Sequence, residues 1–152
     1  MVIAVAELNG RAFRWNLTAN VGPGQPNKLD DVELVRFGYI CMKQNVKFPA
    51  SSDLQEVIDK VRADGPFDTD LADAIKAHQL EHGGTQDGIV SVANVSSTSH
   101  NKERYDSSHT WIIMNLNNNM LDVAGDVYPR IDKHPQSGPE VSKVVKKICV
   151  PI

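Results

Sequence analysis

Between residues 27 and 121 the apolar side chains recur at helical spacing in separate short runs, and glycine or proline closes most of them. Val32, Val35, Tyr39 and Met42, with Leu34 and Phe37 widening the stripe, predict a first helix that Asn27 or Asp30 can cap. Leu54, Val57, Ile58 and Val61 repeat at i, i+3, i+4, i+7, with Asp53 and Glu56 placed as a capping box and Gly65 and Pro66 as a stop. Leu71, Ala74, Ile75 and His78 predict a third helix that starts near Asp68 or Thr69 and ends at Gly83 and Gly84. A fourth runs from Thr110 to Met120, with Trp111, Met114 and Leu121 on one side and Ile112 and Leu116 beside them. The asparagines at 115, 117, 118 and 119 weaken its C-terminal end. Such a pattern folds by packing several short helices on one another.

The flanks follow other rules. Val2, Ala4 and Ala6 alternate, Asn9 and Gly10 suit a tight turn, and Phe13, Trp15 and Leu17 alternate on the return, so residues 1–20 read as a β-hairpin. A two-stranded ribbon is marginal alone and must lean on the helices or the tail. Residues 21–26 hold two glycines and two prolines and stop regular structure. Ile89, Val90, Val92 and Val95 suit a short extended segment, and residues 96–108 form a polar, patternless loop. Val141, Val144, Val145 and Ile148 fit a helix or a strand; Pro139 and Glu140 suit a first helical turn and favour the helix. At 152 residues, 41% hydrophobic and 23% charged, the chain suits one mainly α (α+β) domain that needs neither disulfide nor metal to build a core.

Composition removes several function classes. Lys and Arg total 16 against 19 Asp and Glu, a net charge of −3 with no basic run, so nucleic acid is not an expected partner. No apolar stretch approaches the roughly 18 residues of a membrane span, and membrane insertion is not expected. The first seven residues lack a basic start and reach an acid at Glu7, so no leader is visible. The expected location is the cytoplasm, or the cell envelope by another route or after removal of a leader. Cys41 and Cys149 form no close pair and read as two buried thiols rather than a disulfide.

Four blocks fall in a telling order: residues 27–35, the run from Gly65 through Phe67 to Gln79, Asp87 to Val90, and Thr110 with Trp111 to Leu116. In this order they resemble the peptidoglycan-binding-like domain family, a small three-helix module. Its usual pattern is Asp-Val-x-x-Val-Gln, Gly-x-Phe-Asp, Ala-Ile-x-x-Phe-Gln, Asp-Gly-Ile-Val-Gly and Thr-Trp-x-x-Leu. The resemblance implies a helical core over residues 27–121 with an inserted loop at 91–109, an N-terminal hairpin at 1–20 and an extension at 122–152. The chain departs from the pattern at His78, where the family has Phe, at Arg36, in place of Gln, and in a possible extra helix at residues 57–62. The implied function is non-catalytic binding of cell-wall peptidoglycan. The alternative is a structural or adaptor protein of a bacterial secretion, injection or phage-type machine that uses the fold for docking. A metal-dependent wall hydrolase is a weaker third reading.

Candidate sites are few. His78 and His82 lie four apart, but the stretch lacks the acid of a His-Glu-x-x-His protease helix. His78 reads as a neutral core residue and His82 as a cation at a helix end, so no metal and no cofactor are expected. No cysteine has a neighbouring histidine, no Gly-x-Ser-x-Gly elbow occurs, and the paired acids at helix starts suit the dipole; an enzyme is not expected. A sugar or muropeptide needs an aromatic platform with amide and hydroxyl partners. Tyr105 is the best exposed aromatic, with Asn101, Lys102 and Arg104 beside it in the polar loop. Trp15, Trp111 and Tyr128 are the other platforms, although Trp111 suits the core better. Gln79 and Asp87 complete the candidate ligand-binding set, and both also suit the closure of a turn.

Overall fold

A computed structural model describes residues 1–5, 14–93, 95–96, 104–105 and 111–148, with backbone alone at 2–5, 95–96 and 104–105. These residues are mainly helical: α1 (Leu29–Gln44), α2 (Ser52–Ile58), α3 (Thr69–Glu81), α4 (Ile112–Ala124) and α5 (Pro139–Ile148), with a 3-10 turn at Ile131–Lys133. Two strand pairs accompany them. β1 (Val2–Val5) runs antiparallel to β2 (Arg14–Asn16), and β3 (Val95–Ser96) antiparallel to β4 (Arg104–Tyr105). None of the described helices is long and apolar enough to cross a membrane.

The central element is α1, which packs against α2, α4 and α5 and is buried on every side from Asp31 to Met42. Its contact with α4 is close enough that a Cβ at Gly38 would stand 2.7 Å from that of Leu116, so only glycine fits there. Burial on all sides forces the charged groups of α1 to find partners inside. Asp31 accepts from the Thr18 hydroxyl and from the backbone N–H groups of Thr18 and Ala19. Glu33 Oε2 accepts from the N–H groups of Glu140 and Val141, so a side chain of α1 caps α5. Arg36 donates to the carbonyls of Arg62, Gly65 and Pro66 and pairs with Asp68 at 3.2 Å. It fastens the turn that launches α3.

Several expected boundaries move by a turn or change their chemistry. α1 begins after Lys28, which gives no side-chain cap; Asn27 instead exchanges two bonds with the backbone of Gly22. α2 is capped by Ser51, whose hydroxyl accepts from Leu54 N–H, in place of the Asp53–Glu56 box. Asp68 caps α3 as expected, through Leu71 N–H at 2.9 Å. α4 starts two residues later than expected, continues to Ala124, and has Trp111 at its cap position, whose side chain does not cap the helix; Thr110 lies outside the described residues. The tail is helical at Pro139–Ile148.

The hairpin strands pair as Val2 with Asn16 and Ile3 with Trp15, while Ala6, Asn9, Gly10 and Phe13 lie outside the described residues. Asn16, between two buried apolar residues, is buried as well, and its side chain bonds both N–H and C=O of Ala93. Val21 and Val90 form an antiparallel bridge, which joins the Gly/Pro segment to the extended stretch after α3. Val95 is extended as expected and pairs with Tyr105, while Ser96 pairs with Arg104, so the loop expected to be patternless takes part in a short strand pair through its backbone. Two-residue pairing leaves no periodicity for a sequence reading to detect.

Candidate functional site

The expected site residues divide among three places. Gln79 and Asp87 come together, but on each other: Gln79 Nε2 donates to Asp87 Oδ1 at 2.9 Å and to the Ile89 carbonyl at 3.0 Å, and its Oε1 accepts from Gly88 N–H. Asp87 Oδ1 also accepts from Ile89 N–H. Both side chains therefore hold the turn after α3. Trp111 is half-buried against the core at the start of α4. Arg104 and Tyr105 belong to β4 and their side chains, like Asn101 and Lys102 altogether, lie outside the described residues. Trp15 is fully buried, and the Tyr128 hydroxyl donates to Asn117 Oδ1, so neither is an open platform.

A different place gathers polar chemistry. Two adjoining depressions of about 180 and 280 Å³ share Phe48, Asn115 and Asn119 as walls and lie between the α1–α2 connection, the end of α3 and the middle of α4. Asn45, just past α1, builds one rim. Its Oδ1 accepts from the N–H groups of Lys47 and Phe48, which turns the chain and leaves Phe48 65% exposed. Its Nδ2 donates to Asn119 Oδ1 at 2.9 Å and to Asp122 Oδ2 at 3.2 Å. Asn119 in turn donates to the Asn115 carbonyl and side-chain oxygen. Asn118 is exposed in the same wall.

The series continues inward through His78, which is 1% exposed. The Tyr39 hydroxyl meets His78 Nδ1 at 3.0 Å, and His78 Nε2 stands 2.9 Å from Asn115 Oδ1 and 3.2 Å from His82 Nε2. A fully buried tyrosine hydroxyl needs an acceptor, which assigns its proton to the bond with Nδ1 and the imidazole proton to Nε2, facing Asn115. Burial, and then the neighbouring His82, lower the His78 pKa to about 4, against the Asn115 bond, so the ring is neutral at pH 7 as expected for a histidine inside a core. Burial also raises the Tyr39 hydroxyl above its ordinary range.

An exposed ring beside a row of amides and a carboxylate matches the two faces of a sugar, apolar on the ring plane and hydroxylated at its edge. Nucleophilic chemistry finds little here. Cys41 is a free, buried thiol pushed up to about 12, and Cys149 lies outside the described residues. Among the described residues no group of three or more His, Cys, Asp or Glu could hold a metal.

The sequence reading passed over Asn45, Phe48, Asn115, Asn118, Asn119 and Asp122. One signal was present: positions 115, 118, 119 and 122 fall at i, i+3, i+4, i+7 and mark one polar face of α4, with Asn117 off it. No protein-family model, curated protein or solved structure matches this chain.

Proposed function

We propose that this protein is a non-catalytic module that binds cell-wall peptidoglycan, with the fold of the peptidoglycan-binding-like family and the groove beside Phe48 as its ligand site. The observation that carries this reading is the groove's chemistry: an exposed aromatic ring flanked by Asn118, Asn119 and Asp122. The turn after α3 supports the family resemblance, because Gln79 and Asp87 close it through the bonds that the motif's residue types suit. Phe67 packs against the core at the start of α3, in keeping with the same motif. Asn45 and Phe48 make the groove rim from the connection between α1 and α2, outside the motif blocks.

Incubation with insoluble peptidoglycan followed by centrifugation tests the reading: the protein should pellet with the wall at low and at moderate salt. Retention in the supernatant under both conditions rejects it. The adaptor reading draws on Val46 and Leu80, 93% and 60% exposed beside groove residues in the chain, an arrangement suited to docking on protein. A defined partner that co-purifies with the protein and is lost on Val46→Asp would favour docking over wall binding.

A further inference from the structure

We propose that His78 and His82 are the paired nitrogen ligands of a site for a divalent cation of the zinc and copper class, with the Asn115 amide oxygen as a third donor. The proposal does not depend on wall binding. It rests on convergence: His78 Nε2, His82 Nε2 and Asn115 Oδ1 meet in one corner of the groove, with His78 Nε2 3.2 Å from the second and 2.9 Å from the third. The helical bond from His82 N–H to the His78 carbonyl carries the geometry of α3 one residue past its end, so the two rings lie one turn apart, centroids 4.9 Å and planes tilted by 57°.

In the metal-free protein the Nε2–H of His78 lies toward Asn115 Oδ1 and His82 Nε2, and a bound cation takes the place of that proton. With metal–nitrogen bonds of about 2.0–2.1 Å, a 3.2 Å separation subtends an angle of roughly 100° at the metal, between the square and tetrahedral values. The Asn115 oxygen, treated alike, subtends about 90° with His78. The remaining direction opens on the 180 Å³ depression, with Glu81 on its lining, and leaves room for water or a ligand group to complete the shell.

The surroundings match what a ligating histidine needs. A metal-bound imidazole donates its other N–H to an oxygen that fixes the ring, and the Tyr39 hydroxyl stands 3.0 Å from His78 Nδ1. Ligation moves the imidazole proton from Nε2 to Nδ1 and turns the Tyr39 hydroxyl from donor to acceptor, a reorganisation whose cost the metal bonds must offset. Two imidazoles and one amide oxygen select zinc, copper or nickel; magnesium and calcium require a set of oxygens that this corner lacks.

The test is calorimetric titration of the metal-free full chain with zinc chloride, alongside nitrogen-15 spectra of the histidine rings. One Zn²⁺ per chain is expected, with the Nε2 signals of His78 and His82 shifting together. His82→Gln, at an exposed position, should weaken binding at least tenfold without loss of folding, whereas His134→Gln, on a ring that packs against Phe37, should leave it unchanged. Absence of saturable heat, or a His82→Gln protein that binds zinc like the wild type, overturns the site. The ring spectra need no substitution: zinc that shifts other histidines and not this pair overturns it too.

Discussion

Helix α4 carries its asparagines to two destinations, and the contrast between them separates fold from function. Asn117 faces the hairpin. It accepts from Trp15 N–H at 2.7 Å and from the Tyr128 hydroxyl, and donates to the carbonyls of Trp15 and Ile113, all at 2.7–2.8 Å. Every one of these partners belongs to the fold, and the amide is fully buried. On the other face Asn115 and Asn119 bond mainly to polar neighbours that line the groove, and Asn118 is exposed. Asparagine is a poor helix former in either place. The first face stitches β2 and the tail to the bundle; the second keeps amides at the surface of a cleft.

The largest effect is expected where the network is closed. Asn117→Leu leaves the Trp15 backbone N–H and C=O without that partner inside the protein and should destabilise it by about 3–4 kcal/mol, read as a lower urea midpoint. An equal loss at Asn118 would erase the distinction between the faces. Next comes the other buried cap. A methyl group at Gly138 would collide with the Glu33 carboxylate that caps α5, so Gly138→Ala should cost about 1–3 kcal/mol in the same titration. No change would mean that α5 docks without Glu33.

His78 lies where the two regimes meet, buried like Asn117 yet bonded toward the groove. His78→Phe keeps an aromatic ring in the core but strands the Tyr39 hydroxyl, which costs about 1–3 kcal/mol; adding Tyr39→Phe should recover most of that. The double variant also tests the titration, measured with chelator present. His78 has a folded pKa of about 4 against roughly 6.5 when unfolded, and His82 and Glu81 are the titratable groups that share its corner. Above pH 6.5 both states are neutral and nothing is lost. As pH falls from there toward 4 the unfolded chain takes up the proton first, and wild-type stability declines. The double variant should therefore gain on wild type by about 2 kcal/mol between pH 8 and pH 5. A constant difference in melting at the two pH values would show that His78 is protonated alike in both states.

Much of this was legible in the sequence, for identifiable reasons. The apolar spacing located α1, α2 and α3, the Asp68 cap followed from its place before Leu71, and Pro139 marked the start of α5, because these signals are local. Long-range polar pairing was not legible. Nothing near Arg36 announces the carbonyls of residues 62–66, and nothing near Glu33 announces α5, more than a hundred positions away. The groove escaped for the same reason: Asn45 meets Asn119 across 74 positions, and the asparagine run reads as a weak helix end until the facing elements are known. The candidates chosen from the polar loop rested on composition, which reports exposure and not convergence.

The account depends most on the claim that the open face of α4 binds a ligand and contributes little to the fold. Co-sedimentation with insoluble peptidoglycan, run on wild type and on a Phe48→Ala, Asn118→Ala double variant, tests it most directly. Both positions are exposed, so the variant should melt within about 2 °C of wild type. The account predicts that wild type pellets with the wall and that the variant stays in the supernatant. A variant that pellets as fully as wild type, or a wild type that never pellets, contradicts it.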